Sequence, residues 1–403
     1  MDIEKQVALF MQGTEYGDED LKQAMTDELR QRLKEVEKEG RPLRVYCGFD
    51  PTSKDLHLGH TIPMRKLRQF QDQGHDVTFL IGNFTSLVGD PSDKDKLRPI
   101  LTAEQVKQNA ETYAEQAFRV LDKNKTKILS NAEWLSKLTF ADLIGLASNF
   151  TIQQFLTRDN FRKRWDNGDP VFLHETFYAI MQAYDAFMLK ADVQVGGTDQ
   201  LFNIVTAGRK LMTALDAKPN IGVIMGILPG TDGVVRMSKS LGNSIPISTD
   251  ANDMFGKVMS IPDAAMPVYF RLATRYLPDQ IAAVEAGLAD GSQHPRDVKM
   301  ALAFEITEVF YGTQGAQAGR DAFVDQFQKG NLPDEMPDYS LQEGQTVLDV
   351  LVDGGLVKSR GDGRRMIEQN GVRLDGETLD DPNAAFPKPG VLQVGKRRFL
   401  RVN

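Results

Sequence analysis

Val45-Tyr46-Cys47-Gly48-Phe49-Asp50-Pro51-Thr52-Ser53-Lys54-Asp55-Leu56-His57-Leu58-Gly59-His60 decides the fold of this 403-residue chain. It opens as a buried apolar strand and closes on a turn where two histidines stand three residues apart around a glycine. Helical spacing follows across Met64-Arg65-Lys66-Leu67-Arg68-Gln69-Phe70 and stops near Gly74, after which Val77-Thr78-Phe79-Leu80-Ile81 reads as a second strand. Strand, helix and strand of these lengths make one βαβ unit, and hence a parallel pair. Gly59 lets a ligand approach the main chain, and free N–H groups at a helix start suit a phosphate. Pro63 falls in the first helical turn, where its missing N–H costs nothing. His57 and His60, sharing one crevice, can donate hydrogen bonds to a phosphate under attack.

Working outward, residues 1–40 read as helices, with Leu21, Met25, Leu29 and Leu33 at helical spacing. Alternation of strands and helices runs from Arg44 to Ile247, with Val193-Gln194-Val195 and Val223-Ile224-Met225-Gly226-Ile227-Leu228 as further strands. That pattern predicts an α/β, Rossmann-like doubly wound parallel sheet with its ligand site at the carboxyl ends of the strands. Glu104 to Lys190 reads as a mainly helical insertion between the two halves of the sheet. The chain divides into 1–250, an all-helical 251–330, a proline-rich acidic linker 331–345, and a small α+β module 346–403.

Composition is that of a soluble globular protein, 41% apolar and 26% charged. No apolar run is long enough to span a membrane, and Met1-Asp2-Ile3-Glu4 begins no signal peptide, so a cytoplasmic location is expected. The single Cys47 permits no intrachain disulfide and reads as a packed strand residue. Five histidines and one cysteine fall in no ligand spacing, so no structural metal is expected. The net charge of −8 argues against a general nucleic-acid coat such as a DNA binder would need, but residues 346–403 carry +2 and the remainder −10. A local RNA contact at the tail fits that distribution.

The second informative stretch is Arg236-Met237-Ser238-Lys239-Ser240, a serine- and lysine-rich loop between Gly233 and Gly242 that can close over a triphosphate as a lid. Together with His57-Leu58-Gly59-His60 it resembles the paired signatures of class I aminoacyl-tRNA synthetases, which adenylate an amino acid and pass it to tRNA. The resemblance assigns His57 and His60 to the α-phosphate, Arg236 and Lys239 to the pyrophosphate, and Ser238 to ATP. Arg236 replaces the usual lysine and keeps the charge with a bidentate head.

Tyr178, Gln182 and Asp185 recur at i, i+4 and i+7 on an otherwise apolar helix, a polar face that is costly without partners. This face resembles the amino-acid helix of tyrosyl-tRNA synthetases. There the matching tyrosine and glutamine hold the α-amino group and the aspartate accepts the phenol proton. Tyr46 matches the second phenol contact and Asp90 another amino-group contact. Lys94 and Arg98 match a cation pair on the pyrophosphate, although Asp93 stands where glycine is common. In Val195-Gly196-Gly197-Thr198-Asp199-Gln200, the resemblance implies that Gly196 and Gly197 admit the ribose, that Asp199 takes its hydroxyls and that Gln200 orients the substrate carboxylate. Asp50, Thr52 and Gly59 complete the ATP side.

The tail from Leu356 to Gly376 resembles the small RNA-binding module of ribosomal protein S-four, with Ser359 capping a helix and Arg360, Arg364 and Arg365 on it. The resemblance implies L-tyrosine, ATP with Mg2+ as substrate, and tyrosine tRNA as partners. It further implies a homodimer through the insertion, no tightly bound cofactor and no editing domain. Three rivals share part of the pattern: a tryptophanyl-tRNA synthetase, a non-catalytic RNA-binding relative, and a shorter HxGH adenylyltransferase. Tyr46, Gln182 and Asp185 favour a phenol over an indole.

Overall fold

The computed structural model describes residues 1–51, 56–92, 103–327, 336–342, 344–395 and 398–403. The chain forms two compact units, Met1–Gly319 and Arg320–Asn403. The predicted positions Thr52, Lys94 and Arg98 lie outside the described residues.

The first unit opens with α1 (Ile3–Met11) and α2 (Glu19–Glu39), each started by an aspartate whose carboxylate accepts a first-turn N–H. The expected βαβ unit is β1 (Arg44–Phe49), α3 (Thr61–Asp72) and β2 (Asp76–Ile81), with β1 and β2 parallel in the register Val45 to Val77. After α4 (Ala103–Ala117), β3 (Thr126–Ser130) joins the sheet beside β2. The mainly helical stretch 104–190 therefore also contributes a strand to the sheet, which the reading of it as an insertion between the two halves did not include. β3 is an edge strand with no residue of its five fully buried, so it lacks the apolar run that marks the inner strands.

Helices α5 (Ala132–Leu135), α6 (Phe140–Ala147), α7 (Ile152–Phe155), α8 (Asp159–Asp166) and α9 (Leu173–Met188) follow, then β4 (Val193–Gly197). A π-helical stretch, Phe202–Gly208, runs into α10 (Arg209–Ala214), and β5 (Ile221–Met225) closes the sheet. The order β3-β2-β1-β4-β5 places the reversal between β1 and β4, where ligands bind in such sheets. β5 stops before the predicted Leu228 because Gly226 N–H turns to the Gly13 carbonyl and Leu228 enters a hairpin with Met237.

Two buried polar joints fix the front of the sheet to the N-terminal helices. Asp192 pairs with Arg32 at 3.0 Å and Arg41 at 2.7 Å. Lys66, buried on α3, donates to the Leu9 and Gln12 carbonyls at 2.9 and 3.0 Å, capping the end of α1. Helices α11 (Ala251–Met259), α12 (Met266–Ala273), α13 (Pro278–Ala289) and α14 (Pro295–Phe327, kinked at Gly312) supply the helical segment.

In the second unit, β6 (Asp338–Tyr339) falls within the stretch read as linker, yet it pairs with the last strand of a five-stranded sheet. α15 (Val347–Asp353) and α16 (Arg360–Glu368) precede β7 (Val372–Leu374), β8 (Glu377–Thr378), β9 (Gly390–Val394) and β10 (Arg398–Val402). Ser359 caps α16 as expected, its hydroxyl accepting the Asp362 N–H at 3.2 Å. Gly363 weakens the helix but has a packing reason: a Cβ there would lie 2.6 Å from Leu348 Cδ1 on α15. Arg360, Arg364 and Arg365 are exposed, with Arg360 paired to Asp349 and Arg365 to Asp362.

Candidate active site

One cleft of about 330 Å3 at the carboxyl ends of β1, β2, β4 and β5 gathers most of the predicted residues. Tyr46, Asp50, His57, Gly59, His60, Asp90, Tyr178, Gln182, Asp185, Gly197, Asp199, Gln200 and Arg236 all line it. Lys239 and Ser238 are not in its lining, but the Lys239 charge reaches both histidines.

α9 is held at its start by the buried Arg164–Glu175 pair, 2.7 and 2.9 Å, while Glu175 also accepts the Phe172 N–H at 2.8 Å. That anchor sets which face of α9 looks into the cleft. Tyr178 Oη donates to Asp50 at 3.0 Å, and Gln182 Oε1 accepts from Asn203 at 3.1 Å. Asp185 is 2% exposed, and both carboxylate oxygens are engaged: Trp134 Nε1 donates at 2.7 Å and Asn131 Nδ2 at 3.1 Å. The polar face of α9 therefore has protein partners before any ligand arrives. Burial pushes the Asp185 carboxyl up to about 7, against those two donors. Tyr46, beside it, is 1% exposed and its hydroxyl has no partner among the described residues. Burial and the Asp185 charge hold this phenol protonated far above its usual range, so it is a donor at any physiological pH.

A hydrogen-bonded chain connects this end to the β1 turn. Asn131 also donates to Thr85 Oγ1 at 3.1 Å, and Thr85 donates to Asp50 at 2.8 Å. Gly82 makes the crossing possible, since a Cβ there would lie 2.1 Å from Asp50 Oδ1. On the β4 side, Gln200 Nε2 donates to Asp90 at 2.6 Å and to Asp199 at 2.9 Å, and Asn203 Nδ2 donates to Gln200 Oε1 at 3.1 Å. Behind Asp90, Arg158 is 6% exposed, donates to Ser92 Oγ and lies 4.8 Å over the Phe161 ring. Sequence reasoning missed Asn131, Trp134, Arg158 and Asn203. Trp134 alone carried a signal, as one of only two tryptophans.

The histidine turn is a short 3-10 segment, Leu58–His60. The two imidazole rings lie 3.7 Å apart, tilted by 32°, and His60 Nδ1 accepts the His57 main-chain N–H at 3.1 Å, which leaves the His60 proton on Nε2. A Cβ on Gly59 would meet the His57 ring at 3.1 Å. Burial, His60 and the Lys239 and Arg236 charges push His57 down to about 3; burial and the same two cations push His60 to about 4. Both imidazoles are neutral near pH 7 and act as hydrogen-bond donors rather than as charges. In the loop that follows β5, Met237 is buried and Ser238 and Ser240 hydroxyls lie 2.9 Å apart.

This geometry, a histidine turn and a lysine loop at the switch point of a parallel sheet, defines the class I synthetase site. The family of tRNA synthetases class I (W and Y) matches residues 38–328, and the chain belongs to it. Tyrosine–tRNA ligase 2 of Vibrio cholerae is 48% identical over 367 residues, covering 91% of this chain and 92% of its own. The tyrosine–tRNA ligase of Oleidesulfovibrio alaskensis is 44% identical over 406 residues, covering 100% and 99%. A C-terminally truncated Aspergillus nidulans mitochondrial tyrosyl-tRNA synthetase superposes with a TM-score of 0.61 at 25% identity, over 79% of this chain and 92% of that one. Within the family, the chain is a tyrosine–tRNA ligase.

Proposed function

We propose that the enzyme forms tyrosyl-adenylate from L-tyrosine and ATP with Mg2+, and transfers tyrosine to the 3′ end of tyrosine tRNA without editing. The observation that carries the tyrosine reading is the pair at the buried end of the cleft: a Tyr46 donor with no partner among the described residues, beside an Asp185 acceptor. One donor and one acceptor together match a phenol hydroxyl. Phenylalanine would leave the buried Tyr46 hydroxyl unanswered and bring no proton to Asp185, and tyrosyl-tRNA synthetases are themselves the standard illustration of such rejection without a second sieve.

Tyr178, Gln182 and Asp90 take the ammonium group, and Gln200 orients the carboxylate. A carboxylate oxygen then attacks the α-phosphorus as the bond to pyrophosphate breaks. Neutral His57 and His60 donate to the α-phosphate oxygens, Asp50 and Asp199 hold the nucleoside side, and Arg236, Lys239, Lys94 and Arg98 neutralise the departing pyrophosphate. Magnesium enters with the triphosphate, held mainly by phosphate and water.

Residues 1–250 are assigned the chemistry, 251–330 the anticodon side, and 346–403 the RNA contact through Ser359, Arg360, Arg364 and Arg365. A homodimer is supported by the exposed large apolar residues Phe140, Ile144, Ile152, Trp165 and Leu173 on and beside α6 to α9. No helix among the described residues is long and apolar enough to cross a membrane, and a cytoplasmic enzyme is the reading adopted.

Amino-acid-dependent ATP–pyrophosphate exchange across all twenty amino acids tests the proposal. Exchange with tyrosine alone is the expected result. Exchange with tryptophan would overturn the phenol pocket, and silence throughout would leave a binding protein.

A further inference from the structure

We propose that Asn243 is a positioning residue for adenylate formation, holding the segment from Arg236 to Ser240 in the shape from which its cations meet the pyrophosphate. The inference rests on the role given above to Arg236 and Lys239.

The loop after β5 is a hairpin. Gly230 N–H donates to the Val235 carbonyl at 2.7 Å, Met237 N–H donates to the Leu228 carbonyl at 3.2 Å, and Pro229 bridges Arg236. The turn between the arms is tied by Asp232, whose Oδ1 accepts the Val234 and Val235 N–H groups at 2.8 and 2.7 Å. These bonds fix the hairpin as far as Met237, one residue short of the serine that begins the lysine turn.

Asn243 makes the next connection. Its Oδ1 accepts the Ser238 N–H at 2.8 Å. Its Nδ2 donates to Asp232 Oδ2 at 2.5 Å and lies 3.3 and 3.4 Å from the Arg236 and Val235 carbonyls. Its own carbonyl accepts the Thr231 N–H at 2.9 Å. One side chain thus joins the turn, the second arm and the start of the lysine turn. It is 6% exposed, whereas Val234, Val235 and Leu241 around it are exposed.

The surroundings are shaped to this amide. A Cβ on Gly230 would lie 2.3 Å from Asn243 Cγ and Nδ2, so only glycine leaves the space. Gly233, at φ 75°, would bring a Cβ within 2.8 Å of Pro262, so the turn it forms is packed. Gly242, at φ 68°, closes the 3-10 turn Lys239–Leu241. The hydrogen bond from Asn243 heads the contacts that hold the Asp232 carboxyl below the ordinary carboxylate range. No other side chain of this size offers an acceptor and two donors from one planar head. Misplacing a catalytic group by about 1 Å is enough to cost roughly 10²-fold in rate.

The test is single-turnover formation of tyrosyl-adenylate at saturating tyrosine and ATP, with tyrosine Kd and Tm measured in parallel. Asn243→Ala should form adenylate about 10²-fold more slowly with tyrosine Kd unchanged. Asn243→Asp sets two carboxylates against each other, and a shared proton restores the missing donor. Its rate relative to the parent should therefore rise as the pH falls from 8 to 6, a dependence that loss of folded protein would not produce. Asp232→Asn combined with Asn243→Asp restores the amide–carboxylate pair and should recover most of the rate.

Asn243→Ala working at the parental rate with an unchanged KM for ATP would overturn the proposal. So would a loss matched by an equal loss of tyrosine binding. A parent enzyme silent with tyrosine would instead overturn the functional reading, so the two failures are distinguishable.

Discussion

The Asp185 end of the cleft and the Arg236–Ser240 hairpin use polar groups in opposite ways. At the first, Asp185 and Tyr46 are almost wholly out of water, and the carboxylate is gripped by Trp134 on α5 and by Asn131, which joins β3 to α5. At the second, the cations sit on an exposed hairpin whose order comes from main-chain bonds and one buried amide. The difference follows the demands of the two roles proposed for them. Selecting a phenol requires that an unmatched ligand leave buried groups unpaired, which only a dry, rigid site can enforce. Receiving a triphosphate and releasing pyrophosphate requires charge that water can reach.

The contrast can be broken at its buried end first. Asp185→Ala should lower kcat/KM for tyrosine by about 10³-fold, read by pyrophosphate exchange, while Tm falls only modestly, since removing a costly buried carboxyl offsets part of the loss from leaving the Trp134 and Asn131 donors unpaired. Unchanged tyrosine activation would sink the assignment. At the exposed end, Lys239→Ala should slow adenylate formation by roughly 10²-fold with tyrosine Kd unchanged, a split between chemistry and binding that equilibrium titration and single-turnover kinetics resolve.

A pH profile sharpens the same comparison. With Asp185 raised to about 7, the acceptor carboxylate is lost as pH falls, so kcat/KM for tyrosine should drop about tenfold from pH 8 to pH 6. His57 and His60, at about 3 and 4, add no limb in that range. The smallest effect is expected for Trp134→Phe, which keeps an aromatic ring, though a smaller one, and removes the N–H donor. It should cost several-fold in kcat/KM and move the acid limb to higher pH, since losing a donor to the carboxylate disfavours its charge.

The β1–α3–β2 unit was legible because a buried strand, a glycine-bearing turn and a helical period follow one another without interruption. The cleft residues were legible as motifs, each a short run whose members face one space. β3 was not, because an edge strand of five half-covered residues has neither the apolar run nor the turn signals of the inner strands. Asn131 and Trp134 stayed hidden with it, since they reach Asp185 across about fifty residues of chain. Asn243 was passed over because its meaning lies in bonds to main-chain atoms, which no side-chain pattern records. Gly363 lowers the helix propensity of α16, and the Leu348 methyl lying 2.6 Å from where its Cβ would stand gives the reason it is there.

Lys66 gives the opening residues of the chain a stake in the chemistry. It stands on the helix that begins directly behind His60, and its ammonium is spent on the Leu9 and Gln12 carbonyls. Cutting the chain after residue 12 would leave that amine in apolar surroundings with no acceptors, and the cheapest escape is for α3 to shift and expose it. A shortened form made for crystallisation, or a protease nick in this tail, would therefore be felt first at the histidines. A tag added ahead of Met1 leaves the clasp untouched.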